Sequence, residues 1–246
     1  MTAPRGSLAK ALLCATIALS PGRRSAADDA VSLFNGRDFD GWTAVDGLPV
    51  AAAWEVRDGA IHLRPGERGG HIVTQREYGD FRLAFEWKMA RGVNSGLKYH
   101  VRLYDGKLRG LEYQLLDDAR FAAAAGPRHR LGALYDLFAA DPPPQPRPFG
   151  EYNASLVVVQ FPRVEHWLNG QRIVEATIGS DAWRARLAES KFQELEGFAQ
   201  AGRGRIMLTD HGGEIWYRKL VLTPFPRGDA PPAAPPDDQR SGPAAR

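Results

Sequence analysis

The stretch from residue 81 to residue 89 reads FRLAFEWKM, with an apolar side chain at every second position. Successive side chains of a β-strand point to opposite faces of the sheet, so this alternation predicts a strand with one buried and one polar face. Residues 97–104 (LKYHVRLY) and 111–116 (LEYQLL) repeat the pattern. The three segments therefore predict half-buried strands of an antiparallel sheet.

Further short strands and a single helix are predicted around these three. The Asn169-Gly170 pair is typical of a tight hairpin turn between two strands. A helix is predicted over residues 181–195, where Ser180 can act as the N-cap and no glycine or proline intervenes. Many short strands and frequent turns predict an all-β fold, an antiparallel β-sandwich with one short helix before the last strands. The additional strands are expected at residues 54–56, 60–63, 156–161, 165–168, 173–177, 205–209 and 215–223.

The two ends of the chain differ from this central region in composition. Residues 1–27 combine Arg5 and Lys10 with an apolar run at 11–19 and small residues at 25–27, a pattern typical of a cleaved signal peptide. That run is too short to span a membrane, which takes about 20 residues, and no other stretch is apolar enough. Residues 227–246 are rich in proline and alanine and predict a disordered tail. We therefore expect an exported protein, periplasmic or secreted, with one domain over residues 28–226.

The net charge of +3 belongs to the N-terminal segment. The chain has 32 Lys+Arg and 29 Asp+Glu, and residues 1–27 hold four of the basic residues and no acidic one. Without them the balance is 32 − 4 = 28 basic against 29 acidic residues. A nearly neutral domain argues against nucleic acid as a partner. Because Cys14 is the only cysteine, the expected mature domain has no disulfide and no thiolate metal site.

Several common catalytic motifs are absent from the sequence. It contains no glycine-rich phosphate loop, no G-x-S-x-G elbow and no H-E-x-x-H zinc motif. The E-x-D-x-x-E pattern, which places two acidic residues across a sugar, is also missing. A conventional pair of glycosidase carboxylates would have to come from residues far apart in the sequence.

Polar side chains on otherwise apolar strands are the first candidates for a ligand groove. Lys98, His100 and Arg102 share one face of their predicted strand, and Glu112 and Gln114 share one face of theirs. One face of a sandwich sheet packs on the core, whereas the other can form a groove, where these residue types suit a hydroxyl-rich ligand. Ordinary solvent exposure of the same positions is the alternative interpretation.

The segment Asp210-His211-Gly212-Gly213 ends a predicted strand. The glycines permit close approach of the backbone to a ligand, and histidine titrates near neutral pH. Such a histidine either transfers protons or holds its loop together. Asn94, in the turn that enters the Lys98 strand, has the same two interpretations.

Over residues 31–224 the sequence resembles the 3-keto-disaccharide hydrolase family. It departs from residues common in that family at Thr209 and Lys219. The order and number of the matching motifs support the resemblance: 32–38 (SLFNGRD), 41–42 (GW), 54–59 (WEVRDG), 78–81 (YGDF), 94–99 (NSGLKY), 112–118 (EYQLLDD), 132–136 (GALYD), 165–170 (EHWLNG), 190–192 (SKF), 208–212 (LTDHG) and 215–218 (IWYR).

The resemblance implies a concanavalin A-like jelly-roll sandwich and a sugar substrate already oxidised at C3. A ketone at C3 acidifies the C2 hydrogen, so a base can form an enolate, the anomeric substituent leaves by β-elimination, and water then adds. A sugar 3-dehydrogenase is the expected functional partner, since some enzyme must make the keto substrate. The alternatives are a non-catalytic carbohydrate-binding module and a conventional glycoside hydrolase acting on unoxidised sugars.

On this hypothesis the base is Glu112 or His211, and Lys98 or a bound cation stabilises the enolate oxygen. Asp210 is expected to orient His211. The sequence assigns no cofactor, and a divalent metal held by Glu112, His211 and Asp136 is left open. The expected sugar-binding residues are Asn94, His100, Gln114, Tyr135 and Asp136.

Overall fold

The computed structural model describes residues 30–124 and 126–225, so the predicted signal peptide and the predicted tail lie outside the described residues. No helix among them is long and apolar enough to cross a membrane. Within these ranges the strands are β1 (Val31–Ser32), β2 (Trp42–Ala44), β3 (Trp54–Arg57), β4 (Ala60–Leu63), β5 (Ile72–Thr74), β6 (Phe81–Met89), β7 (Asn94–Tyr104), β8 (Lys107–Leu116), β9 (Asn153–Gln160), β10 (Arg163–Leu168), β11 (Gln171–Thr177), β12 (Arg205–Asp210) and β13 (Ile215–Pro224).

The strands form two antiparallel sheets that pack face to face. The larger, sheet A, has the order β11-β10-β9-β6-β13-β4-β3, with β1 added to β13, and the smaller, sheet B, has the order β2-β5-β12-β7-β8. The predicted fold, an all-β antiparallel jelly-roll sandwich, is confirmed. The Asn169-Gly170 hairpin is also confirmed, since both residues have positive φ between β10 and β11.

The core lies between the sheets and follows the predicted alternation closely in β6 and β8. Every second residue of β6, from Phe81 to Met89, is buried. Trp87 donates a hydrogen bond from Nε1 to the hydroxyl of Ser155 (2.9 Å), and this hydroxyl donates to the hydroxyl of Tyr113 on β8 (3.1 Å). Aromatic side chains bury large apolar areas, and these bonds satisfy their polar atoms, so the two sheets are fixed relative to each other.

The predicted alternation fails in the middle of β7, where a bulge interrupts its pairing with β8 between Tyr99 and Arg102. His100 takes a φ of +49° there and its side chain turns inward, 2% exposed and against the ring of Phe81. An extra residue in a strand reverses the faces of the residues that follow it. Val101 therefore leaves the main core and joins a small apolar cluster outside it.

The helix before the last strands is shorter than predicted. α2 covers Asp181–Ala188, and its N-cap is Ser180, whose hydroxyl accepts the backbone N–H of Trp183 as expected. After the helix the N–H groups of Glu189 and Ser190 donate to the carbonyls of Arg186 and Leu187, and the N–H of Lys191 donates to the carboxylate of Asp136 (2.8 Å). A second, four-residue helix that the sequence did not predict, α1 (Asp118–Phe121), follows β8 and has Asp117 as its N-cap.

A buried histidine gives the fold a predictable response to acid. His166 on β10 is fully buried and accepts a hydrogen bond at Nε2 from the hydroxyl of Tyr99 (3.0 Å). Its Nδ1 donates to the carbonyl of Gly132 (3.0 Å), which fixes the neutral tautomer. Burial lowers the pKa of His166 to about 4.

Because the unfolded chain titrates at the ordinary histidine pKa near 6.5, this contribution to stability is complete above that pH and is lost as the pH falls towards 4. We expect the titration of His166 to lower the free energy of unfolding by on the order of 2 kcal/mol between pH 7 and pH 4.5. Glutamine can keep both hydrogen bonds without titrating, so His166→Gln should lose correspondingly less stability over this range. Urea unfolding of both proteins at the two pH values tests this, and equal losses would contradict it.

Candidate active site

A cleft of about 720 Å³ lies on sheet B, on the face turned away from sheet A. Because Leu111, Tyr113 and Leu115 of β8 point into the core, Glu112 and Gln114 point to the opposite face. The cleft brings together six of the predicted site residues: Asn94, Lys98, Glu112, Gln114, Tyr135 and His211.

Glu112 and Lys98 form an ion pair on the floor of the cleft. They are directly opposite each other on β8 and β7, and the Lys98 ammonium lies 3.5 Å from Oε2 of Glu112. Their side chains are only 5% and 15% exposed, so the pair is largely shielded from bulk water. A charge pair in a dry site interacts more strongly than on the surface, which holds the two side chains in place.

Gly96 makes room for the Glu112 carboxylate. It pairs with Gln114 across β7 and β8, and the Asn94-Ser95-Gly96 segment, predicted to be a turn, is the start of β7. A Cβ atom at this position would lie 2.4 Å from Oε1 of Glu112. The glycine is therefore needed for the position of a carboxylate, and not for an unusual backbone angle.

Two histidines form one wall of the cleft, with ring centroids 5.2 Å apart. His71 accepts the backbone N–H of Asp210 at Nδ1 (3.0 Å), so the single proton of its neutral ring is on Nε2, which has no hydrogen-bond partner in the described residues. Burial, and then Lys98 and His211, lower the pKa of His71 to about 4. Burial also lowers the pKa of His211, against the opposing effect of Glu112. Both rings are therefore predominantly neutral at pH 7.

Lys191 and Tyr135 also line the cleft. The Lys191 ammonium lies 4.2 Å from the centre of the Tyr135 ring, in a cation–π contact, and has no ion-pair partner in the described residues. Burial, together with the positive charge of Lys98, lowers the pKa of Lys191. At the end of the cleft, Gln114 donates a hydrogen bond to the side-chain oxygen of Asn94 (3.2 Å).

Asp210 does not orient the ring of His211, which corrects the prediction. Its Oδ2 accepts the backbone N–H groups of Gly69 (2.8 Å) and Gly70 (3.0 Å), and its Oδ1 accepts that of Gly212 (2.9 Å). These bonds fix the segment that leads into His71. Asp210 therefore positions the other histidine of the pair, through its carboxylate and through its own N–H.

Two predicted sugar-binding residues lie outside the cleft lining. The bulge in β7 turns His100 inward, where Nε2 donates to the carbonyl of Gly79 (2.9 Å). The carboxylate of Asp136 is 7% exposed; it accepts Nε2–H of His129 (2.8 Å) and the backbone N–H of Lys191 (2.8 Å). Asp136 thus holds Lys191 in position from behind the cleft.

The metal-ligand set considered from the sequence is not assembled. Asp136 is occupied by the contacts just described and does not join Glu112 and His211 in the cleft lining. Across residues 30–124 and 126–225, no group of three or more His, Cys, Asp or Glu side chains is arranged to hold a metal ion. The donor atoms of the cleft therefore do not fit a metal centre of the usual composition.

The sequence analysis missed His71 and Lys191. His71 follows Gly69-Gly70, a glycine pair of the kind that drew attention to His211, and Lys191 is the central residue of the 190–192 motif (SKF). Both signals were present, but each residue lies far in sequence from β7 and β8. Only the folded chain brings them to the same cleft.

A family model described as the 3-keto-alpha-glucoside-1,2-lyase-like domain matches residues 29–223 of this chain. The chain belongs to this family. A curated relative, the 3-keto-disaccharide hydrolase of Bacteroides thetaiotaomicron, is 27% identical over 226 residues, covering 79% of this chain and 78% of the relative. The predicted family and the predicted class, a glycosidase-type hydrolase, are confirmed by this match.

Solved structures of two Parabacteroides distasonis proteins described as candidate glycosyl hydrolases share the fold of this 3-keto-alpha-glucoside-1,2-lyase-like domain. The first has a TM-score of 0.72 and 27% identity, and covers 84% of this chain and 99% of its own. The second, at 21% identity and a TM-score of 0.62, covers 80% of this chain and 99% of its own and supports the fold alone.

Proposed function

We propose that this protein hydrolyses the glycosidic bond of 3-keto-glycosides, including 3-keto-disaccharides, by C2 deprotonation, β-elimination and addition of water. The proposal is carried by the Glu112 carboxylate and the Lys98 ammonium, 3.5 Å apart on the cleft floor. A carboxylate base beside a cation suits removal of a proton whose bonding electrons move onto a neighbouring oxygen. The name of the curated relative and the family description support the same chemistry.

Of the two candidate bases, Glu112 fits the first step better. Its carboxylate is buried and fixed against Gly96 and Lys98, so it can face the C2 hydrogen of a sugar lying on the cleft floor. His211, at the wall, is more exposed than Glu112, although its ring is partly enclosed by the cleft. Since burial lowers its pKa, the neutral ring accepts a proton near pH 7, which suits activation of the water that adds later.

Lys98 and His71 are placed to stabilise the enolate oxygen. When Glu112 takes the C2 proton, the C–H electrons form the C2=C3 bond and the negative charge develops on the C3 oxygen. The ammonium of Lys98 and the Nε2–H of neutral His71 are both donors on this part of the cleft. Donors fixed in advance at a developing oxyanion contribute strongly to catalysis because they need no reorganisation.

The enolate then collapses, the C3 carbonyl re-forms, a C1=C2 double bond appears and the C1–O bond breaks. The departing oxygen needs a proton, and Lys191, whose pKa is lowered by burial, is the donor that we assign to it. Water adds to C1 while His211 takes its proton, and Glu112, whose acquired proton has exchanged with solvent, protonates C2. Solvent exchanges the remaining proton between His211 and Lys191, so the balance is net hydrolysis.

A conventional glycosidase mechanism has less support in this cleft. Two carboxylates line it among the described residues, Glu112 and Asp46. Asp46 lies in an exposed turn, where its Oδ1 accepts the backbone N–H of Leu48 (3.0 Å), and Glu112 is paired with Lys98. A conventional glycosidase needs two carboxyl groups that flank the scissile bond, one of them as the proton donor.

The test is turnover of matched pairs of glycosides, each as the 3-keto sugar and as its unoxidised parent. We expect hydrolysis of the 3-keto compounds alone, with deuterium from D2O incorporated at C2 of recovered product. Hydrolysis of the parents at equal rates would support a conventional glycosidase. Binding without turnover of either series would support a carbohydrate-binding module, and both results would overturn the proposal.

We further propose that the protein acts after export, because the apolar 11–19 run and the small residues that follow it are typical of a signal peptide. On the proposed chemistry, its substrate must come from an enzyme that oxidises the C3 hydroxyl of a glycoside. A sugar 3-dehydrogenase is therefore the functional partner that this chemistry requires.

A further inference from the structure

Along β8 the floor of the cleft changes from polar to apolar. Gln114, Glu112, Gly110 and Leu108 occupy every second position of β8 and line the cleft. Residues two apart in a strand are about 7 Å apart, so this row spans about 20 Å, more than one sugar ring occupies. Gly110 lies between Glu112 and Leu108 in this row, and a Cβ there would lie 2.6 Å from the backbone oxygen of Tyr99 in β7, so the position admits only glycine without a shift of the strand.

The end of this row is part of an apolar surface outside the main core. Leu108 packs on a cluster of Val73, Val101 and Met207, and Leu103 is its cross-strand partner on β7. The bulge in β7 creates this surface, because it turns Val101 away from the main core.

Exposed apolar side chains continue this surface to the mouth of the cleft. Leu103 is 67% exposed and Val45 is 43% exposed, and both line the cleft. Leu48, 61% exposed, belongs to the same turn as Val45. Single exposed leucines are normal on proteins, but a group of them beside a catalytic cleft indicates a binding surface.

Two cations without acidic partners lie in the same half of the cleft. Lys107 and Arg109 line it, and neither has an ion-pair partner in the described part of the chain. Nε of Arg109 is buried without a hydrogen-bond partner. Asp46 is the one acidic residue here, and it is bound to the N–H of Leu48. A buried donor with no partner is costly unless a ligand supplies an acceptor.

We propose that this half of the cleft, formed by Val45, Leu103, Leu108, Lys107 and Arg109, binds the aglycone, and that the preferred aglycone is an apolar ring bearing an acidic group. The inference rests on the proposed function, in which the keto sugar lies over Glu112 and Lys98. The hydroxyl-binding residues Asn94, Gln114 and Tyr135 all lie in the other half. A second sugar would find no amide or hydroxyl side chain among the described residues that line the aglycone half.

The test uses 3-keto-glucosides with methyl, cyclohexyl and 4-carboxycyclohexyl aglycones. Their leaving groups are alcohols of similar acidity, so differences in kcat/KM report contacts. We expect cyclohexyl to exceed methyl by about 10-fold and the carboxylate to add about 10-fold more. Leu103→Ser should remove most of the first gain and Arg109→Gln most of the second, with the methyl compound changed less than about 2-fold. Val221→Ser, at an exposed apolar position on sheet A, is the matched control.

Equal kcat/KM values for the three compounds, or loss of the gains in Val221→Ser alone, would overturn the inference. A clear preference for a 3-keto-disaccharide would overturn it as well.

Calorimetric binding of the unoxidised 4-carboxycyclohexyl glucoside, which cannot react, separates failure of the proposed aglycone site from failure of the proposed chemistry. If Leu103→Ser and Arg109→Gln each weaken this binding about 10-fold, the aglycone site is supported whatever the turnover. Binding that neither variant alters would overturn it.

Discussion

Glu112→Gln is expected to lower kcat on a 3-keto-glycoside by about 1,000-fold and to leave KM within a few-fold. Glutamine keeps the size and the hydrogen-bonding capacity of the side chain but cannot accept the C2 proton. The rest of the cleft still binds the sugar. Removing a group that acts only in the transition state lowers kcat and kcat/KM together.

Exchange of the C2 hydrogen with D2O is the decisive measurement for this variant, because it reports proton removal separately from bond cleavage. We expect Glu112→Gln to lose exchange and turnover together, whereas His211→Ala should retain exchange and lose turnover. Glu165→Gln is the control, since Glu165 is a buried carboxylate paired with Arg163 outside the cleft. Exchange that persists in Glu112→Gln and disappears in His211→Ala would identify His211 as the base.

Gly96→Ala should reduce kcat by about 100-fold while changing the unfolding free energy by no more than about 1 kcal/mol. The added methyl group would lie 2.4 Å from Oε1 of Glu112, and the end of that flexible side chain can move away. The fold therefore tolerates the substitution, but the carboxylate shifts by about 1 Å relative to Lys98 and to the substrate. Misplacement of this size is enough to cost two orders of magnitude in rate.

Turnover and urea unfolding of Gly96→Ala, measured together, test this expectation. Gly79→Ala is the matched control, because a Cβ there meets only the carbonyl of Gly202 at an ordinary 3.9 Å. Full activity in Gly96→Ala would show that the position of Glu112 does not limit the rate. A large loss of stability with proportionate loss of activity would show that the glycine serves the fold instead.

The strands themselves were predictable because their pattern is local. The alternation in β6 and β8 follows from the two-residue period of a strand, and it correctly placed Glu112 and Gln114 on the face away from the core. The same rule failed in β7, because the bulge at His100 depends on how β7 pairs with β8 and on a positive φ that histidine seldom adopts. No period in the sequence marks that residue.

The carboxylates give a second reason why the site could not be predicted fully from the sequence. Asp210 and Asp136 belong to motifs as prominent as that of Glu112, yet both bind backbone N–H groups. Buried backbone N–H groups that lack a carbonyl partner form hydrogen bonds with any carboxylate that the fold brings beside them. Which acid remains available to a substrate depends on the loops that fold against it.

The sequence by itself determined the sandwich, the family and the face of β8 on which Glu112 lies, because these follow from alternation within single strands and from motifs in a fixed order. The tertiary structure alone decided which groups surround that pair. It brought His71 and Lys191 to the cleft from distant segments, withdrew His100 from it, and placed an apolar surface with two unpaired cations beside it. The reason is physical: a strand fixes the direction of its own side chains, whereas a cleft is assembled from loops that only the packed core brings together.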